Sequence, residues 1–177
     1  LEEYAVHTEG DLTGMTTWRL YLHVLHEDDF LSACSGSEEN PWFLESSSTS
    51  AWYNHPIVSE TFAPAVNPAF YAAYPNLEYD SWLTIGITDG NAANQGAPFP
   101  LMSDDLGFAQ WTTTSGLSTT DGAVSYINHD EGPSGSAIVI AQLTVSTGTS
   151  WTARCNLQGK TLNGAVWTCE GVEWASP

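Results

Sequence analysis

Apolar residues along most of this chain recur at every second position, and almost nowhere at the spacing of a helix. In "TTWRLYLHVLH", Trp18, Leu20, Leu22 and Val24 fall on one side of an extended backbone, with Arg19, Tyr21, His23 and Leu25 on the other. Successive side chains of a strand point to opposite faces, so this pattern predicts a long strand over 16–26. "SWLTIGIT" sets Trp82, Thr84, Gly86 and Thr88 against Leu83, Ile85 and Ile87. "SAIVIAQLTVST", 136–147, is the most apolar run and predicts a central strand covered on both faces. "FLSAC", "WFLES", "FAQWTTT" and "GAVSYIN" read as further short strands. About nine to eleven strands separated by Gly, Asp and Asn turns predict an all-β fold, an antiparallel β-sandwich of jelly-roll-like type. One short helix is expected around 68–74, with Asn67 as N-cap, Pro68 at its first position and Pro75 ending it.

The chain of 177 residues suits one domain over 1–177. No linker divides it, and the expected additions are an N-terminal arm over roughly 1–14 and a C-terminal hairpin over roughly 150–174. Both are candidates to lie on a neighbour by strand addition. Leu1 rather than Met at the start suggests a processed chain.

Twenty-one acidic residues face three basic ones, Arg19, Arg154 and Lys160, for a net charge of -18. Nucleic acid is excluded as a partner, because binding it needs Lys and Arg to displace counterions. Anionic lipids and polyanionic sugars are equally disfavoured, while cations, neutral glycans and other protein surfaces remain. No apolar run reaches the roughly 18 residues of a membrane span.

Three cysteines are present. Cys155 and Cys169 lie in "WTARCNLQG" and "GAVWTCEGV", joined by a turn carrying Asn163-Gly164, a strong hairpin signal. Opposed on neighbouring strands, the two are expected to form a disulfide, with Cys34 left over. A disulfide implies an oxidising compartment, hence secretion or another non-cytosolic lumen.

"DLTGMTTWRLYLHV", "NPAFYAAYPNLEYDSWLTIGITD" and "IVIAQLTVSTG" resemble, in this order, the motifs of a family of secreted β-rich domains of marine bacteria and algae. The resemblance spans most of 11–148. It implies secretion and a β fold, and it carries over no catalytic residues.

Candidate sites are few. "DGNAANQG" resembles the start of a calcium loop, with Asp89 and Asn91 in place. Ala93 and Pro100 stand where further ligands belong, so an EF-hand is rejected. A looser Ca2+ site remains open if sandwich ends bring this loop together with Asp104 and Asp105, or with Asp130 and Glu131. "HEDD", 26–29, reads as a solvated turn. His23 and His26, three apart on a strand, face opposite sides and do not share an ion. Glu78 and Asp80 are the nearest pair for glycoside chemistry, yet carboxylates are too common here for that to count. No nucleophile or phosphate-loop motif occurs. Asp80, flanked by aromatics, is expected to form a partly buried ion pair with Arg19. Eight Trp serve either the core, a glycan-stacking platform or a subunit interface.

The expected function is therefore non-enzymatic: a structural subunit of an extracellular filament, coat or appendage, its partners other copies or other extracellular proteins. The alternatives are a calcium-assisted module binding neutral glycans and an accessory subunit of a complex in a non-cytosolic lumen.

Overall fold

In the computed structural model, which describes residues 1–49, 51–58, 61–91, 99–103, 106–128 and 132–177, two antiparallel sheets face each other. The four-stranded sheet has the order β1 (Glu2–His7), β2 (Met15–Leu22), β9 (Ile138–Ser146), β5 (Trp82–Leu83). The seven-stranded sheet is built around β10 (Trp151–Lys160). The expectation of an all-β sandwich holds.

On β10 one edge is taken along its length by β11 (Val166–Ala175). The other is shared end to end by β4 (Trp42–Ser46), opposite residues 151–154, and β3 (Phe30–Ser35), opposite 156–160. These two behave as one broken strand. Their neighbours break at the same level: β8 (Ala123–Ser125) pairs with β3, and β7 (Leu117–Thr119) with β4. Gly36 sits at the break, its N–H bonded to the Gly122 carbonyl at 3.0 Å. A Cβ there would collide with the Thr119 carbonyl oxygen, so only glycine fits. The short β6 (Leu101–Met102) ends the sheet beyond β8.

β9 shows how sequence becomes layer. Leu143, Val145 and Ala141 stand opposite Trp18, Thr16 and Leu20, on the face toward the second sheet. Gln142 and Thr144 stand opposite Arg19 and Thr17, on the other face. The register shifts between Leu20 and Tyr21, where Ile140 is the extra residue, so Val139 returns to the outer face opposite Tyr21. Every residue from Ile138 to Val145 is buried. From the facing sheet, Trp151, Ala153, Cys155 and Leu157 of β10 alternate inward. Trp18 and Trp151 meet at 6.4 Å, and Trp52 and Trp111 pack edge to face at 5.9 Å. Each fully buried aliphatic side chain here contributes about 1.5–3 kcal/mol.

Local differences from expectation have local causes. The 16–26 run forms a strand only to Leu22. "SWLTIGIT" keeps two paired residues, because Gly86 turns to φ 79° where its N–H meets the Val139 carbonyl. The segment 68–74 opens with a 3₁₀ turn, Pro68–Phe70, rather than a two-turn α-helix, and Pro75 starts a second 3₁₀ turn, Pro75–Tyr79. Asn67 does cap the first, its side chain accepting from the Ala69 N–H at 3.0 Å. The α-helical turn, α1 (Leu106–Ala109), runs into "FAQWTTT", read from its sequence as a strand. The N-terminal arm is β1, paired with β2 of its own chain.

The expected Cys155–Cys169 disulfide is overturned: Cys34, Cys155 and Cys169 are all free thiols. The hairpin itself forms, closing Lys160 on Val166 with Gly164 at φ 79°. Its register sets Cys169 opposite Leu157, and the bulge before Val172 sets Cys155 opposite Val172. The two cysteines are thus diagonal, a spacing of about 7–8 Å between Cα atoms that a disulfide does not span. Cys155 instead points into the core, beside Cys34 of β3. Burial, with Cys155 adding to it, pushes the Cys34 thiol well above its ordinary range.

Candidate functional site

The residues of the three quoted motifs converge on the outer face of the four-stranded sheet. There residues 53–58 and 61–81 cross β9 and cover it. Gln142 is fully buried between the two. Its Nε2 donates to the carbonyls of Glu78 and Asp80, at 3.0 and 2.8 Å, and its Oε1 accepts from Arg19 Nε at 2.9 Å. One turn along, Thr144 Oγ1 donates to the Tyr79 carbonyl at 2.6 Å and lies 2.7 Å from Thr17 Oγ1. His7 Nε2 meets the same Thr17 hydroxyl at 2.9 Å. The Thr144 N–H donates to Ser81 Oγ at 3.0 Å. A buried amide and hydroxyls in a strand are costly unless paired, and here they bind the main chain of a covering segment.

Asp80 is 2% exposed. Its Oδ1 accepts the N–H of His55 at 2.6 Å and of Ser81 at 3.0 Å. Burial raises its carboxyl to about 7, against the lowering effect of those two donors. The ion pair expected with Arg19 does not form. The Arg19 guanidinium lies 3.5 Å over the Tyr4 ring and reaches Asp80 only through Gln142, at its main-chain carbonyl. Backbone donors and a raised pKa make burial of the carboxyl tolerable without a cation. Beside it, His55 is also buried, and burial lowers its ring pKa. Tyr53 is raised to about 12 by burial and by the Asp80 charge. Glu78 accepts from Tyr4 Oη at 3.2 Å, so the two carboxyls serve different contacts.

Of the candidate calcium ligands, Asp89 is committed to its own turn: Oδ1 accepts the Asn91 N–H at 2.7 Å, and the Gly90 N–H is held by the Val66 carbonyl. Asp104, Asp105, Asp130 and Glu131 lie outside the described residues. Among the described residues no three His, Cys, Asp or Glu side chains gather as a metal would require. His23 bonds the Ser136 carbonyl at 3.1 Å. The Trp question resolves toward the core: Trp42, Trp52, Trp82, Trp111 and Trp151 are buried, and Trp18, Trp167 and Trp174 are half-buried. None of the eight is fully exposed.

What the surface does offer is strand edge. Among the described residues, β1 and β11 each pair with a single strand, β2 and β10. Trp167, Val172 and Trp174 of β11 pack on the core, and Trp174 Nε1 donates to the Tyr21 carbonyl of the opposite sheet. Val166 stays 58% exposed. Gly159 beneath the hairpin is obligatory, since a Cβ there would collide with the Trp167 ring and the Phe30 carbonyl. The importance of Gln142 and Thr144 was missed in the sequence; the signal was two polar residues inside an otherwise apolar run.

No family model, characterised protein or solved structure matches this chain. No helix among the described residues is long and apolar enough to cross a membrane.

Proposed function

We propose that this chain is a non-enzymatic structural subunit of an extracellular assembly, joined to further copies by strand addition between β1 and β11. The observation that carries this reading is β11: ten residues long, anchored by two Trp, with no strand among the described residues along its outer edge. A long exposed edge presents a row of N–H and C=O groups to another chain. β1 is a second such edge, in the other sheet. Joining two different edges is a head-to-tail contact, which repeats into an open filament. Location outside the cell is supported by the net charge of -18 and by the motif resemblance. The three free thiols remove the disulfide argument for it.

The charge also sets the conditions. Glu2 and Glu3 on one edge and Glu170 and Glu173 on the other repel at low salt and are screened at high salt. Light scattering after size exclusion, at rising protein concentration and at low and high salt, is expected to show mass growing with both. Electron microscopy should then show filaments. A monomer under every condition overturns the proposal.

A further inference from the structure

A cavity of about 280 Å³ opens where the two sheets part, at the end of the sandwich that holds both chain ends. We propose that it is a binding site for a neutral pyranose sugar. The argument starts with β1. Its register against β2 slips at Tyr4, so Tyr4 turns to Arg19 on the outer face while Glu3 stands directly opposite Trp18. Opposed residues of an antiparallel pair share a face. A carboxylate and a half-buried indole therefore line the same cavity.

The remaining wall is hydroxyl-rich and pre-formed. The hairpin 146–150 supplies Thr147 and Ser150, and the C-terminus supplies Ser176. Thr147 is fixed by its N–H to the Gly14 carbonyl at 2.8 Å and by Thr16 Oγ1 at 2.9 Å. Ser176 Oγ accepts the Trp151 N–H at 3.2 Å. Ligand pockets join an apolar surface to a few placed polar groups. A pyranose has matching parts: a C–H face for the indole, and hydroxyls that donate to a carboxylate and exchange hydrogen bonds with Ser and Thr. Charge-assisted acceptance by Glu3 is the strongest of these bonds. The net charge of -18 turns away uronates and sulfated sugars.

The test is ¹⁵N NMR of the whole chain, following the indole Nε1–H signals during titration with methyl β-glucoside, methyl β-galactoside and methyl α-mannoside, then with glucuronate and glucosamine. At least one neutral glycoside should shift the Trp18 indole saturably, and glucuronate should not. Glu3 is exposed, so Glu3→Ala leaves the fold intact and is expected to weaken binding on the order of tenfold. Trp18→Phe, which keeps an aromatic in place and is followed through the backbone amide signals of Thr147 and Ser176, should weaken it less. The site is overturned if no neutral glycoside gives a saturable Trp18 shift, if Glu3→Ala binds as well as the parent, or if glucosamine alone responds.

Discussion

The two faces of β9 are equally buried and held in opposite ways. Toward the second sheet, Leu143 and Ala141 pack in the apolar core, with Val145 at its edge beside the cavity. Away from it, Gln142 and Thr144 make directed bonds to the main chain of the 53–81 segment, beside a smaller apolar cluster of Ala63, Val66, Leu77, Trp82 and Val139. The first contact tolerates any arrangement that fills volume. The second fixes one register, because each donor has one acceptor. An apolar core joins the sheets, and a polar layer locates the cover.

The largest effect is expected on the dry face. Leu143→Ala should lower stability by about 2–5 kcal/mol, seen as a lower midpoint in urea with unchanged slope. A loss under about 1 kcal/mol would mean the core relaxes around the gap.

The outer face should instead respond to pH. Asp80 is raised from 3.8 to about 7, so the folded chain holds a proton there that the unfolded chain has released. Stability then falls as pH rises from about 4 to about 7, by up to roughly 4 kcal/mol. His7 and His55, lowered by burial, act the other way, losing stability as pH falls below the ordinary histidine value of 6.5. Asp80→Asn keeps an acceptor for the two N–H groups and removes the titration. The difference between parent and variant melting curves across pH isolates Asp80; if the curves run parallel, the raised pKa is wrong.

Gln142→Leu comes next. It fills similar volume but strands the Glu78 and Asp80 carbonyls and Arg19 Nε, for about 1–3 kcal/mol. The cost should appear as faster amide exchange in 53–81 while β2 and β10 stay protected. Uniform loss across the molecule would show that the two faces are one cooperative unit.

The smallest effect falls on the exposed thiol. Cys169→Ser should change stability by less than about 0.5 kcal/mol. In the native parent a maleimide should label Cys169 alone, with Cys34 and Cys155 reacting after unfolding. Two inert residues out of three even in denaturant would restore a disulfide.

The sequence makes the inward half of this fold readable, because period-two alternation records which side of a strand meets other strands. Trp18, Leu20 and Leu22 face the core as their spacing predicts, and Asn163-Gly164 does close a hairpin. Interruptions are less legible. The turn register that closes Lys160 on Val166 already sets Cys169 opposite Leu157, two residues along from Cys155, and Gly86 cuts a strand whose side-chain pattern continues through Ile85. Asp80 misled for another reason. Composition argues that a buried carboxylate seeks one of three cations, but the backbone N–H groups that hold it belong to residues whose identity carries no such signal. Phe108 and Trp111 favour a strand locally, and tertiary packing of Phe108 edge-on to Trp42 at 5.3 Å overrides that preference.

The cavity that gathers Glu3 with Ser176 and Pro177 has a topological consequence. Residues at the start of β1 and just after β11 lie side by side there, so a short tether could join them without unpairing either strand. The resulting closed loop could then be cut elsewhere, most naturally at the break between β3 and β4. A circularly permuted version of residues 1–177 opened there should recover the same sandwich, with residues 1 and 177 covalently joined and the new ends within the seven-stranded sheet.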